Sequence, residues 1–182
     1  MILYHGTSEK RGIKIFDEMS LKTNALRVYG EEHLLPTTGG YIYLTNNLVN
    51  AIYYGNKTAC EDEDNYLFVF EIEIDECKLE ADMDQIIYSL IPFGKHTKIK
   101  DIDSPTVQES LAYALSVRTR KDIDIKTSKT RFSKIVSSIC YEDTSKRRNT
   151  QKLVGLLRSC NNLDVKFRDD FIRDISWKGM SK

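Results

Sequence analysis

The sequence of 182 residues predicts an α+β fold. The segment 66–75, YLFVFEIEID, is apolar at first and then alternates Phe70, Ile72 and Ile74 with acidic residues, which indicates a strand with one buried face. Shorter strand-like runs occur at ILY and GGYIYLT, whereas the chain beyond about residue 128 carries apolar stripes at helical spacing. A chain of this length can form one compact domain with a substantial core.

The first half of the chain predicts two strands, two helices and one long loop before that central strand. The run ILY at residues 2–4 is a short strand, and Thr7 or Ser8 is a suitable cap for a brief helix over SEKRGIKIF. Residues 23–40 are polar, contain Gly and Pro, and lack a clear period, so we expect a long loop. GGYIYLT is a strand, and TNNLVNAIYYG predicts a capped helix that ends at Gly55.

The chain after the central strand predicts mainly helices. We expect an acidic turn that leads into a helix over KLEADMDQIIYSLI. A further helix is expected over SPTVQESLAYAL, with Ser104 as N-cap and Pro105 at its first position. SVRTRKDIDI alternates like a strand. Three basic helices follow, over TRFSKIVSSIC, TQKLVGLLRSC and VKFRDDFIRDI, with YEDTSKRRNT as a polar linker between the first two. We therefore expect a core over residues 1–126 and a helical extension over 127–182.

Composition restricts the class of protein. No apolar run approaches the roughly 20 residues of a membrane span, and the four scattered cysteines favour a reduced, cytoplasmic environment. The histidines His5, His33 and His96 are far apart, so no metal site is predicted. Residues 1–91 carry seven Lys/Arg against sixteen Asp/Glu, and residues 92–182 carry twenty against eleven. Either the halves attract each other, or the basic half meets an anionic partner such as nucleic acid.

Three local motifs occur in an informative order. His5-Gly6-Thr7 follows the first strand, Tyr43 lies in the strand led by Gly40, and Tyr54 follows one helix later, eleven residues after Tyr43. An acidic turn comes after the central strand. In combination these motifs resemble the ADP-ribosyltransferase superfamily, in the branch of diphtheria toxin and the poly(ADP-ribose) polymerases. The resemblance covers about residues 1–126 and implies a split, twisted sheet around an NAD cleft.

The chemistry of NAD explains why these residue types suit such a site. Nicotinamide is a flat ring with one amide, and the rings of Tyr43 and Tyr54 could hold it between them. Gly6 would let the ring approach the main chain, because a Cβ there would occupy the space that the carboxamide needs. His5 would hydrogen-bond the ribose hydroxyls. By the resemblance, Thr7 belongs to the same NAD-binding motif.

The resemblance also implies a carboxylate beside the nicotinamide ribose, because cleavage of the glycosidic bond builds positive charge on the anomeric carbon. The acidic turn KLEADMDQI makes Asp82 and then Asp84 the candidates, with Glu109 in reserve. Each of the three could equally be a solvated turn or helix residue. Arg118 and Arg120 lie at alternate positions of one predicted strand and could either support the pocket or face solvent.

The function implied is that of an NAD-dependent mono-ADP-ribosyltransferase, with NAD as co-substrate and a nucleic acid or protein as acceptor. Small members of the superfamily in bacteria and phages are frequently toxins or defence effectors, so an inhibitor protein is an implied partner. One alternative is a catalytically inactive module of this fold that binds a partner protein or NAD. Another is an NAD-dependent RNA 2′-phosphotransferase, which we favour least because only four residues precede His5.

Overall fold

A computed structural model of the chain describes residues 1–26, 36–126, 128–158 and 164–180. Residues 27–35 of the predicted loop over 23–40, with His33, lie outside these residues, as does Cys160. The α+β prediction is confirmed. Within the described ranges, no helix combines the length and the apolar character that crossing a bilayer requires.

The described part of the chain contains nine strands and six helices. The strands are β1 (Ile2–Ser8), β2 (Ser20–Leu21), β3 (Ile42–Thr45), β4 (Tyr66–Glu73), β5 (Glu80–Ala81), β6 (Ser116–Thr119), β7 (Ile123–Asp124), β8 (Thr130–Val136) and β9 (Lys178–Gly179). The helices are α1 (Glu9–Glu18), α2 (Leu48–Glu61), α3 (Met83–Gln85), α4 (Val107–Glu109), α5 (Thr144–Arg158) and α6 (Val165–Arg173). A π-helical turn continues α3 over Ile86–Leu90, and another continues α4 over Ser110–Ala114.

One seven-stranded antiparallel sheet organises the molecule, in the order β5-β6-β3-β1-β4-β8-β9. Strand β1 pairs with β4 along its whole length, from Ile2↔Glu73 to Ser8↔Leu67. With β3, however, the described part of β1 pairs only at Tyr4↔Thr45. The sheet therefore opens between β1 and β3 from His5 onward.

Each face of the sheet is covered by its own apolar cluster. On one face the Phe16 ring of α1 packs against three rings of the sheet, at centroid distances of 5.3 Å to Phe68, 5.3 Å to Phe70 and 4.7 Å to Phe132. On the other face α2 and α5 bury Ile52, Leu67, Val69 and Leu153, among others. The alternation predicted for β4 is confirmed, since Phe70, Ile72 and Ile74 are all buried on the first face.

Two glycines bring strand β1 and helix α2 into backbone contact. A Cβ on Gly6 would lie 1.8 Å from the carbonyl oxygen of Ala51, and a Cβ on Gly55 would lie 3.1 Å from the backbone nitrogen of Thr7. The prediction that the helix ends at Gly55 is wrong, because α2 continues to Glu61. Gly55 is needed for close packing in the middle of the helix and does not terminate it.

Three further predictions of local structure are wrong. The segment TRFSKIV, expected to be helical, is strand β8, because it pairs along β4 from Tyr66↔Val136 to Ile72↔Thr130. The helix α5 begins at Thr144, inside the expected polar linker YEDTSKRRNT. The N-cap of α4 is Thr106 and not Ser104, because Thr106 and Glu109 form a reciprocal capping box.

We expect Gly6→Ala to lower the free energy of unfolding by about 3 kcal/mol, because the added methyl group can be accommodated only if β1 and α2 move apart. Gly155→Ala is the matched control: it lies on the exposed side of α5 with nothing near its Cβ, and should stabilise the protein by about 0.5–1 kcal/mol through helix propensity. Urea unfolding of both variants tests this. Equal midpoints for Gly6→Ala and the wild type would contradict it.

Candidate functional site

His5 lies on β1 where the sheet opens, and its ring is fixed by the neighbouring strand. Its Nδ1 lies 3.0 Å from the carbonyl oxygen of Tyr43. Because a carbonyl can only accept, Nδ1 carries the proton and donates. Burial lowers the pKa of His5, against the opposing effect of this hydrogen bond, so the ring is neutral at pH 7. Its Nε2 is then an acceptor that can receive a hydrogen bond from a hydroxyl group.

Tyr43 is connected through its side chain to a carboxylate. Its hydroxyl donates to Oδ2 of Asp84. The same oxygen accepts from the backbone nitrogen of Thr38 at 2.7 Å, and Oδ1 of Asp84 accepts from the Thr38 hydroxyl at 2.7 Å. Burial and the bond to Asp84 raise the pKa of Tyr43, so the phenol stays protonated. Burial alone would raise the pKa of Asp84, but the donors from Tyr43, Thr38 and Arg118 outweigh it and hold that pKa below its usual value. Asp84 is therefore ionised at neutral pH.

Tyr54 approaches the same turn from helix α2. Its hydroxyl lies 3.3 Å from Oε1 of Gln85, one residue after Asp84. Burial, together with the charge of Asp82 and the neighbouring Tyr53, raises the pKa of Tyr54 to about 12. The hydroxyls of both predicted tyrosines thus border the short helix α3.

The two predicted rings have different aromatic neighbours. Tyr43 lies beside Tyr41 with centroids 6.3 Å apart, and Tyr54 beside Tyr53 with centroids 5.2 Å apart. Among the aromatic contacts of the described residues there is none between Tyr43 and Tyr54. The structure thus places the hydroxyls of Tyr43 and Tyr54 at the short helix α3. That a planar ligand lies between the two rings stays a prediction.

The three candidate acids have different environments. Asp82 is buried and caps α3, with Oδ1 accepting from the backbone nitrogen of Gln85 at 3.0 Å, and burial raises its pKa. Glu109 accepts hydrogen bonds from the backbone of Lys100 and from the backbone and side chain of Thr106, which lower its pKa to about 2. Its partners lie outside the His5 and Tyr43 cluster. Of the three, the structure brings only Asp84 into hydrogen-bonding contact with a predicted tyrosine.

The glycine of the HGT motif has a packing role that the sequence did not predict. A Cβ on Gly6 would meet the backbone of α2 at Ala51, so packing of strand against helix already requires glycine here. That Gly6 also leaves room for a carboxamide stays a prediction. Thr7 is buried beside it, with 4% of its surface exposed.

Arg118, whose role the sequence pattern left open, belongs to the cluster around Asp84. It is buried on β6, its Nη1 lies 3.3 Å from Oδ1 of Asp84, and its guanidinium stacks 4.0 Å from the centre of the Tyr41 ring. Arg120 lies over the same ring at 4.9 Å. The alternation of SVRTR predicts that Arg118, in β6, and Arg120, directly after it, lie on the same side, but that pattern could not show that Asp84 would meet one of them.

A groove lies next to Tyr54, between α2, α3 and the end of α5. Its volume is about 300 Å³, and its lining includes Asn50, Tyr53, Tyr54, Gln85, Lys95 and Tyr113. His5 and Tyr43 are not among its lining residues.

An apolar hollow of about 330 Å³ lies on the opposite face, around Phe16 and Phe132. Within the described ranges no group of three or more His, Cys, Asp or Glu side chains is arranged to hold a metal ion.

Comparisons with known proteins found no matching family model, no matching curated protein and no matching solved structure.

We expect Asp84→Asn to lower the free energy of unfolding by about 3 kcal/mol at pH 7, because a charged acceptor of four hydrogen bonds is replaced by a neutral amide. The folded-state pKa of Asp84 is depressed, so its contribution is present above the unfolded pKa near 4 and is lost as the pH falls through the lower folded value. The difference between variant and wild type should therefore be constant above about pH 5 and shrink below about pH 4.

Urea unfolding at several pH values measures this difference. Asp75→Asn is the matched control, since Asp75 is exposed and pairs only with Lys78 among the described residues, at 3.6 Å. It should change stability by less than about 0.5 kcal/mol at every pH. A loss for Asp84→Asn that is unchanged between pH 3 and pH 7 would contradict the assignment.

Proposed function

We propose that this protein is an NAD-dependent ADP-ribosyltransferase with the split-sheet fold of that superfamily. The observation that carries the proposal is a connected set of three side chains: His5 bonds the main chain of Tyr43, and the hydroxyl of Tyr43 bonds Asp84. The set lies where β1 and β3 separate, which is where a ligand could reach the edge of β1. The histidine, tyrosine and acid that the resemblance implies are thus neighbours, although they lie far apart in sequence.

The groups present fit the parts of NAD. Nε2 of neutral His5 is an acceptor for a ribose hydroxyl. Tyr54 presents a ring that is 38% exposed, and an exposed aromatic face suits a planar base. In this reaction NAD supplies an electrophilic anomeric carbon and loses nicotinamide. The ionised Asp84 supplies fixed negative charge near Tyr43, and such charge favours a transition state that is positive at that carbon.

Asp84 acts in this proposal as an orienting and electrostatic group. Its two oxygens already accept from Thr38, Tyr43 and Arg118, so little of their capacity is left for removing a proton. The same observation favours the second candidate, a module of this fold that binds NAD or a partner without catalysis. Transfer of label from NAD distinguishes the two.

Incubation of the protein with NAD labelled in the adenylate part and a cell lysate should place label on a macromolecule. We expect Asp84→Asn to lower the rate of transfer by about 100-fold, since it removes the fixed charge. Tyr43→Phe keeps the ring and removes the bond to Asp84, and should lower the rate by at least about tenfold. Glu109→Gln should retain the wild-type rate, because Glu109 bonds only Thr106 and Lys100 among the described residues.

Thermal unfolding must show that each variant is folded at the assay temperature. Binding of NAD without any labelled product would favour the inactive module. Full activity in both Asp84→Asn and Tyr43→Phe would refute the proposed site.

Tyr54→Ala should raise the KM for NAD about tenfold, because stacking on one aromatic ring is worth about 1–3 kcal/mol. Tyr54→Phe keeps the ring and loses only the 3.3 Å bond to Gln85, so its KM should stay within about twofold of wild type. Tyr141→Ala removes a ring that is 82% exposed and lies on no element of the site, and serves as the control. Steady-state kinetics with varied NAD measure all three, and equal KM values for Tyr54→Ala and wild type would count against stacking.

A further inference from the structure

The groove beside Tyr54 combines aromatic faces from separate elements. Tyr53 and Tyr54 come from α2 and pack edge to face, and Tyr113 comes from the π-helical turn after α4. Tyr54 is 38% exposed and Tyr113 is 37% exposed, although aromatic residues of this size are more often buried. Exposed rings that line one groove are suited to stacking against planar groups.

Polar side chains of the groove retain hydrogen-bonding capacity for a ligand. The side-chain amide of Asn50 makes no hydrogen bond to a described residue, and Gln85 uses only its oxygen, as the acceptor for Tyr54. Lys95 also lines the groove. No Asp or Glu is among the lining residues that the structure describes. The groove thus offers amides that can read base edges and one cation for a phosphate.

Two further exposed aromatic residues, Tyr88 and Phe93, lie close in sequence to residues that line the groove. Tyr88 is 41% exposed and precedes the groove residue Ser89, while Phe93 is 73% exposed and lies two residues before Lys95. The segment 91–100, IPFGKHTKIK, carries three lysines and no acidic residue. Aromatic residues interspersed with lysines are typical of surfaces that bind several successive bases of a single strand.

We propose that this groove binds single-stranded nucleic acid, with a base stacked between Tyr113 and Tyr53 and a phosphate beside Lys95. The inference deepens the proposed function, because it identifies the acceptor of ADP-ribose as a single-stranded nucleic acid presented next to Tyr54. It rests on the groove itself, so it can be tested in the absence of NAD.

The experiment measures fluorescence anisotropy of labelled single-stranded RNA and DNA of roughly twelve nucleotides, against a duplex of the same length. We expect the single-stranded RNA, the single-stranded DNA or both to bind more tightly than the duplex. Tyr113→Ala should raise the Kd about tenfold, while Tyr113→Phe keeps the ring and should bind within about twofold of wild type. This pair separates loss of stacking from loss of folding.

The salt dependence of binding tests the role of Lys95. Loss of one phosphate contact should reduce the slope of log K against log salt by about 0.7 in Lys95→Ala. Lys14→Ala is the matched control, because Lys14 is an exposed lysine of α1, on the opposite face of the sheet, and should leave the slope unchanged. No binding to either single strand, or equal Kd values for Tyr113→Ala and wild type, would overturn the proposal.

Two further measurements separate this inference from the proposed function. AMP should not displace the oligonucleotide at concentrations near the Kd of the strand, and displacement would overturn the inference by identifying the groove as a mononucleotide site. Single-strand binding without transfer of label would support the groove and refute the enzyme. Transfer of label to protein, with no oligonucleotide bound, would support the enzyme and refute the groove.

Discussion

The close approach of β1 and α2 is the constraint on which the arrangement of the site depends. It requires glycine at position 6, where a Cβ would overlap the carbonyl oxygen of Ala51, and it is helped by Gly55 on the helix. His5 is the neighbour of the first glycine and Tyr54 the neighbour of the second. The contact between two backbones therefore sets the positions of two candidate functional side chains, although neither side chain takes part in it.

Tyr43 connects the two sides of the opening in the sheet. Its main chain accepts from the imidazole of His5, and its hydroxyl donates to Asp84. The hydrogen bonds around Asp84 oppose its burial and keep it ionised, whereas burial raises the pKa of Asp82 two residues earlier. The pKa values of two carboxylates at one short helix are thus shifted in opposite directions, because Asp84 has several donors around it.

Elements whose apolar residues follow one unambiguous spacing could be predicted from the sequence. Elements whose structure depends on pairing or packing with a distant segment could not. Strand β4 was predictable because its apolar start and the later alternation of Phe70 and Ile72 with acidic residues agree with its burial. Strand β8 was not, since its apolar residues Phe132, Ile135 and Val136 also fit a helical stripe, and pairing with β4 decided the matter. The end of α2 was misread at Gly55 because sequence alone cannot tell a glycine that ends a helix from one that packs against a strand.

The sequence by itself determined the α+β class and the order of His5, Tyr43 and Tyr54, because these follow from local patterns and from a motif read along the chain. Tertiary structure decided which of Asp82, Asp84 and Glu109 meets the tyrosine, and it placed Arg118 against that acid. The physical reason is that the state of a carboxylate depends on the donors around it. For Asp84 those donors come from Thr38, Tyr43 and Arg118, which lie 34 to 46 residues away in the chain.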